Sequence, residues 1–505
     1  MKQMAVGLRV AVPSLVIAFL VAACGRADGM PEGSAAVDAP APEEAVDIAA
    51  NSEASPEADA SSLGTGVNAL APTNAKDSVH AATDGIAADA TPAERTFFHF
   101  TRPDHIRGLY VNSWSGGSRR RMAALIDLAE RTEINTFVID IKDASGYVSH
   151  PSEVPLAQEV GATEDIRIPS MAWLLGQLEA AGIYPVARIV IVKDPVLAAA
   201  RPELAVQDTA GGVWTDNNGV VWLNPFNKAV WEYHVDLARE VAEMGFPEIQ
   251  WDYVRFPDAP ASALGRAHFP GRNGQPRTTA IREFLAYSRD ALADLEVDVT
   301  ADVFGVTTSA TRDVGIGQVW ESFIDVVDVA LPMVYPSHYW KGSYGVEEPN
   351  AYPYEIVRKA LRDALERSAA LEGAGATRPW LQDFTLGPPR YEAPEVRAQI
   401  QAAYDLGIME WVLWNPGSRY TEDALEPAEG FAAEPLVRVG NQVVPVSRRF
   451  ELFDTTTVVA QPEEESGSGD GAPGPDGGST PANDTLPVPG VARPDTVGAG
   501  IGRSG

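Results

Sequence analysis

The sequence predicts an α/β fold, a closed (β/α)8 TIM barrel carrying long flanks at both ends. Three observations support this. Eight short apolar runs alternate with helical patterns across about 340 central residues, which argues for a parallel sheet. Runs two, four, five, seven and eight end in polar groups inside otherwise apolar stretches, at the strand ends where barrels place their working residues. No G-x-G-x-x-G follows an early run, so the rival arrangement, an open doubly wound sheet, lacks its nucleotide fingerprint.

The runs come in order. Gly108-Leu-Tyr-Val-Asn112 is the first, and Met122, Leu125, Ile126 and Ala129 space out the helix behind it. Thr136–Asp143 is the second, with its helix near Met171–Ala181, and Tyr184–Lys193 is the third. A long excursion through Trp214 and Trp222 leads to a helix on Val230, Tyr233, Leu237, Val241 and Met244, whose spacings of three and four draw one apolar stripe. Ile249–Phe256 is the fourth. Within it Gln250 and Asp252 share a face, because side chains alternate with period two, and a buried carboxylate is costly unless something pairs or uses it. Arg255 and Pro257 close this run, since proline leaves the ladder. A helix near 278–294 precedes the fifth run, 297–304; the sixth is 327–335. A helix near 353–371 and a run at 378–384 follow, then a helix near 393–406 and a run at 408–415. The 431–459 stretch, with its FELFD, suits a short β extension.

Both flanks read differently. Residues 24–93 and 460–505 are rich in Ala, Pro, Gly, Ser and acids and nearly free of aromatics, so too little apolar area is available to offset the entropy of ordering them. The formal net charge of −31 disfavours a nucleic-acid partner. Much of the charge is in the flanks, where residues 31–95 alone carry about ten more acids than bases. At the start, Lys2 and Arg9 precede an apolar run that ends in Val21-Ala22-Ala23-Cys24. That pattern suits a secretory leader over residues 1–23, and VAAC resembles the lipobox of bacterial lipoproteins. The expectation is lipidation at Cys24 and a monomer tethered at the cell envelope, on the outer membrane or cell surface. Cys24 is the one cysteine, so an intramolecular disulfide and a cysteine metal cluster are excluded.

The candidate site is the rim where the strand ends would converge. It gathers Asp140 and Lys142, Arg188, Gln250, Asp252 and Arg255, Asp302, Tyr335 and His338, Gln382 and Asp383, and Trp414 and Asn415. Several carboxylates beside aromatic faces is what glycoside hydrolysis needs: one carboxyl protonates the leaving oxygen while another attacks or stabilises the oxocarbenium-like centre. Neighbouring negative charges raise one of the two pKa values. Plainer roles suit some of these residues equally: Asp143 and Asp194 as loop caps, Lys142 and Arg188 as partners of nearby acids. By alternation Trp251 and Tyr253 turn away from Asp252, towards the helices. The seven histidines show no metal-ligand spacing, so neither metal nor cofactor is expected.

The blocks GLYVN, FVIDIKD, YPVARIVIVKDPVLA, WLNP, VWEYHVDLAREVAEMGFPEIQWDYVRFP, ADVFG, PMVYPSHY and PWLQDF occur in an order that resembles the putative glycosyl hydrolase domain family, from about residue 106 to about 425. That resemblance implies a TIM barrel and a glycosidase activity. More distantly the arrangement is similar to the α-amylase superfamily, which implies Asp252 as nucleophile, Asp302 as acid/base and Asp383 as a holder of sugar hydroxyls. The superfamily's acid/base is Glu, and here the position carries Asp302. The readings left open are a glycosidase acting on an envelope or extracellular polysaccharide and a carbohydrate-binding lipoprotein without catalysis. A metal-assisted hydrolase would need a His/Asp ligand set that the sequence does not display.

Overall fold

The computed structural model describes residues 98–456. The leader, Cys24, the tether to residue 93 and the tail from 460 lie outside them. Eight parallel strands close on themselves: β1 (Arg107–Val111), β2 (Thr136–Lys142), β3 (Tyr184–Val190), β4 (Glu248–Asp252), β5 (Asp298–Phe304), β6 (Val329–Met333), β7 (Trp380–Gln382) and β8 (Trp411–Trp414). Each pairs with the next, and β8 returns to β1 through Arg107 opposite Trp411. The β6–β7 seam is the shortest, a single pairing of Met333 with Trp380.

Helices α1 (Arg119–Arg131), α2 (Met171–Ala181), α3 (Lys228–Met244), α4 (Arg277–Leu292), α5 (Trp320–Phe323), α6 (Pro353–Ser368) and α7 (Ala393–Tyr404) fill the outer layer. Ser118 caps α1, which buries Met122, Leu125, Leu128 and Ala129. Asn227 caps α3, and Gly245 ends it at φ 118°, a left-handed backbone that favours glycine. The chain then enters β4 within three residues.

Alternation along the strands builds two apolar layers. Phe137, Ile139, Ile141, Ile189, Ile249 and Trp251 face the helices, and Trp251 donates from Nε1 to Ser288 Oγ on α4 at 3.1 Å. Tyr110, Val138, Val186, Leu331, Trp380 and Trp414 form the second cluster, on the alternate positions that fill the barrel. Register then aligns the polar positions: Asp140 pairs with Arg188, Arg188 with Gln250, and Val190 with Asp252.

Several strands are shorter than the sequence reading, the third ending at Val190, the sixth spanning Val329–Met333 and the eighth Trp411–Trp414; two further differences are changes of conformation. β4 stops at Asp252 instead of running to Phe256, because Tyr253 takes a left-handed φ of 51°. FELFD is helical, within α8 (Arg449–Thr456); the extended residues are the hairpin β9 (Leu436–Val439) and β10 (Gln442–Pro445) just before it.

Candidate active site

The carboxyl end of the barrel opens into a cleft of about 480 Å³, whose lining includes Arg188, Asp252, Arg255, Asp302, Tyr335, His338 and Trp414. These seven were expected on the rim from sequence. Tyr253, Phe304, Tyr339, Trp340 and Trp380 line it as well.

Arg188 is the centre of the floor. It is buried, and it donates from Nη1 to Asp140 Oδ1 and from Nε and Nη2 to Asp252 Oδ2, the Nε contact being 3.0 Å. Its Nε also stands 3.9 Å from Asp302 Oδ2. Two carboxylate oxygens within those distances of one atom are at most roughly 7 Å apart, which admits the spacing of retaining glycosidases, about 5–5.5 Å, and the near end of the inverting range, about 6.5–9.5 Å. Tyr110 Oη donates to Asp140 from below, and the Tyr110 ring stacks on Trp414 with centroids 3.9 Å apart. The Arg188 guanidinium lies 5.2 Å from the Trp414 ring centroid, a cation–π contact that helps hold it in place.

The carboxyls sit in different surroundings. Asp252 has the Arg188 charge against Oδ2, while its Oδ1 accepts from the backbone N–H of Tyr253. Asp302 meets the same guanidinium only at 3.9 Å, beyond hydrogen-bond reach. Trp380 Nε1 donates to its Oδ1 at 2.7 Å, and Gln250 Nε2 donates to Oδ1 at 2.9 Å and Oδ2 at 3.1 Å. Burial, then the nearby charge of Asp252, raises the Asp302 pKa well above the ordinary carboxyl range, with Arg188 and the two donors opposing. Burial also raises Asp140, to about 6, against the pull of Arg188.

Gln250 and Asp140 thus lie beneath the floor, holding Asp302 and Arg188. Four expected residues are not brought to the cleft. At a register shift between Asp140 and Lys142, the Lys142 ammonium turns to Asp194 at 2.9 Å and to the Val190 carbonyl. Asp194 in turn caps the short helix that follows β3, and Asp143 pairs with Arg167. Gln382 Oε1 accepts from Ser337, and its backbone exchanges hydrogen bonds with Gln399 of α7. Asp383 accepts from Thr421 Oγ1 at 2.6 Å and Thr421 N at 2.8 Å, and Asn415 donates to the Asp383 carbonyl while capping its own loop. All four organise loops behind the rim.

Of the further lining residues, Tyr339 and Trp340 were available from sequence as aromatic faces for a sugar, whereas Phe304 and Trp380 were not singled out and Tyr253 was placed on the wrong face. Tyr253 was expected to face the helices, but alternation ends where the strand ends, and its positive φ turns the ring into the cleft. Trp380 entered the sequence reading only as part of the run 378–384. Its position on β7, two residues before the Gln382 that ends the strand, was the available signal that its indole N–H could reach the rim. Among the described residues no group of three His, Cys, Asp or Glu side chains is placed to hold a metal ion.

No curated protein matches the chain. Among solved structures, a hypothetical protein from Ruminiclostridium thermocellum ATCC 27405 is 41% identical over 39% of this chain and 97% of its own, with a TM-score of 0.36. The PgaB (BpsB) glycoside hydrolase domain from Bordetella bronchiseptica is 14% identical over 64% of this chain and 99% of its own, TM-score 0.46. The α-galactosidase TtGalA from Thermus thermophilus is 16% identical over 70% and 68% respectively, TM-score 0.40. The model of a family described as a putative glycosyl hydrolase domain matches residues 108–420. That is more than half of the chain, which therefore belongs to the putative glycosyl hydrolase domain family.

Proposed function

We propose that this chain hydrolyses glycosidic bonds in an envelope or extracellular polysaccharide, with Asp302 as the general acid and Asp252 as the nucleophile or the carboxylate that stabilises the oxocarbenium-like centre. One observation carries the reading: two cleft carboxyls reach the same Arg188 Nε in opposite surroundings, Asp252 charge-compensated and Asp302 desolvated. A raised pKa keeps a proton on Asp302 near neutrality, as a general acid requires. Oδ1 already accepts from Trp380 and Gln250, leaving Oδ2, which accepts a single hydrogen bond at 3.1 Å and has Arg188 Nε only at 3.9 Å, as the oxygen suited to carry that proton. Proton transfer from Asp302 to the leaving oxygen breaks the glycosidic bond while Asp252 meets the positive charge at the anomeric carbon; a water then adds to that carbon and gives its proton back to Asp302. The rings of Tyr253, Tyr335 and Trp414 and the half-exposed Trp340 at the rim supply faces for sugar stacking.

Cys24, in its VAAC context, would hold the enzyme at the envelope through its lipid. An unlipidated mature N-terminus beyond Cys24, read by mass spectrometry of the membrane fraction, ends that part of the proposal.

A second reading, glycan binding without cleavage, is favoured by the fact that Arg188 already occupies both Asp252 and Asp140. One experiment separates the two. The full chain is incubated with a polysaccharide panel and products are followed by mass spectrometry, with Asp252→Asn as the control. Hydrolysis predicts new reducing ends that the variant fails to produce; retention of a glycan with no product from any panel member supports the binder.

A further inference from the structure

We infer that Arg255 is an oxyanion-recognising residue of the cleft wall, and that the glycan accepted there carries an acidic substituent. The inference rests on the hydrolase reading for the location of the substrate and deepens it by naming a substrate class. Arg255 follows the sharp turn that ends β4, and its guanidinium is set among three rings, 4.9 Å from the centroid of Trp222, 4.8 Å from Tyr253 and 4.7 Å from Phe304. The residue is only 4% exposed, yet it lines the cleft. Its hydrogen bond is to the Phe256 carbonyl at 3.3 Å, and among the described residues no carboxylate pairs with it.

Arg188, its neighbour on the cleft lining, has the opposite situation, with donors engaged by Asp140 and Asp252. A guanidinium carries five N–H donors, and Arg255 spends one of them. A buried cation without a counter-ion is costly. Aromatic faces offset part of that cost, but they cannot accept along the edge of the fork. What remains is a planar, preorganised set of donors that matches a carboxylate, sulfate or phosphate in a two-point contact. Asp258 also lines the cleft, three residues along, and does not pair with it. The chain's net charge of −31 would repel acidic polymers in general. A cation in the wall is what would make an acidic sugar acceptable, and it would bind with marked salt sensitivity.

The test is calorimetric titration of the full-length Asp302→Asn chain, so that ligand is not consumed, with matched oligosaccharide pairs. Oligogalacturonate and oligomannuronate are set against their carboxyl-reduced forms, a sulfated galactan fragment against its desulfated form, and a phosphate-substituted glycan against its dephosphorylated form. At least one acidic member should bind about 10–100-fold more tightly than its neutral partner, as expected for charge-assisted hydrogen bonds; which pair does so identifies the oxyanion. Adding Arg255→Gln should bring the acidic member down to its neutral partner, and Arg255→Lys should restore part of the difference. The inference is overturned if no acidic member outbinds its partner, or if Arg255→Gln weakens both members equally. The comparison of ligand pairs needs no Arg255 variant to fold. Turnover of a neutral glycan alone would end this inference and leave the hydrolase reading intact, whereas Arg255-dependent acidic binding without turnover in the wild type would do the reverse.

Discussion

Strand β4 carries a buried carboxyl at each end, Glu248 at the amino-terminal rim of the barrel and Asp252 at the carboxyl-terminal rim, and each meets a buried arginine. At the lower rim Arg378 donates to Glu248 at 2.6 Å and to Glu410 at 2.9 Å, and Arg102 adds a second cation against Glu410 at 2.8 Å. At the upper rim one guanidinium, Arg188, serves Asp140 and Asp252 and stands near Asp302. Burial raises the carboxyl pKa at both places, and at Glu248 the charge and hydrogen bond of Arg378 pull directly against it. Asp302 receives the added push of Asp252 instead. At the heart of the lower cluster Glu248 and Arg378 are fully buried, with only Glu410 and Arg102 reaching solvent at the edge, while the upper cluster opens to a cleft. Charge balance and access, more than burial, distinguish a cluster that holds the fold from one with a proton to give.

The largest expected effect breaks the upper cluster. Asp302→Asn should lower turnover by about 10²–10⁴-fold, the usual worth of general acid–base catalysis, and Asp252→Asn by more. The pH profile is the sharper readout. An acid must hold its proton, so activity should fall as pH rises through the raised pKa of Asp302. That alkaline limb should vanish from the residual rate of Asp302→Asn. A limb that survives in the folded variant assigns the acid elsewhere, with Asp140 next.

The lower cluster should respond in stability, not chemistry. Glu248→Gln removes one partner of a buried pair, a change that typically costs about 3–5 kcal/mol. Glu410 still faces Arg378, which places this case towards the smaller figure. Denaturant midpoints should fall while turnover per folded molecule stays near the wild type. If Glu248→Gln instead abolished turnover at unchanged stability, the division between the rims would be wrong.

Much of this was legible in the sequence, for identifiable reasons. Eight apolar runs specify parallel strands, and period-two alternation placed Gln250 and Asp252 on one face, where the structure has them reaching Asp302 and Arg188. The misses gather where the chain stops being extended. Lys142 is displaced by a register shift, Tyr253 by a positive φ, and Gln382, Asp383 and Asn415 by loop contacts with Ser337 and Thr421 and with one another. Alternation is a property of the pleat, so it carries no information one residue beyond the last pleated position. Arg255 and its three rings are brought together by Trp222 from a distant excursion and Phe304 from the end of β5, and no local pattern announces that meeting.

The smallest expected effect sharpens the contrast at a residue that belongs to the upper rim without reaching the cleft. Asp383 is buried, accepts two hydrogen bonds from Thr421 and, among the described residues, has no cation against it, and burial pushes its pKa up from 3.8 to about 6. Between those two values the folded protein holds a proton that the unfolded chain releases. Stability contributed here is therefore present at low pH and lost as pH rises through the window, by about 3 kcal/mol for a shift of this size. Asp383→Asn cannot ionise. Its amide oxygen can accept from the Thr421 N–H while its NH2 donates to Thr421 Oγ1, so both contacts are kept at every pH. Measured by denaturant unfolding, the variant should lie within about 1 kcal/mol of the wild type near pH 4 and be the more stable chain near pH 7. The repulsion within a chain of charge −31 changes with pH in both proteins and largely cancels in the difference. Asp140 titrates in the same range in both and cancels likewise. Parallel stability curves would mean that Asp383 ionises in the fold as easily as in the unfolded chain, and that the uncompensated charge of the upper rim ends at the cleft.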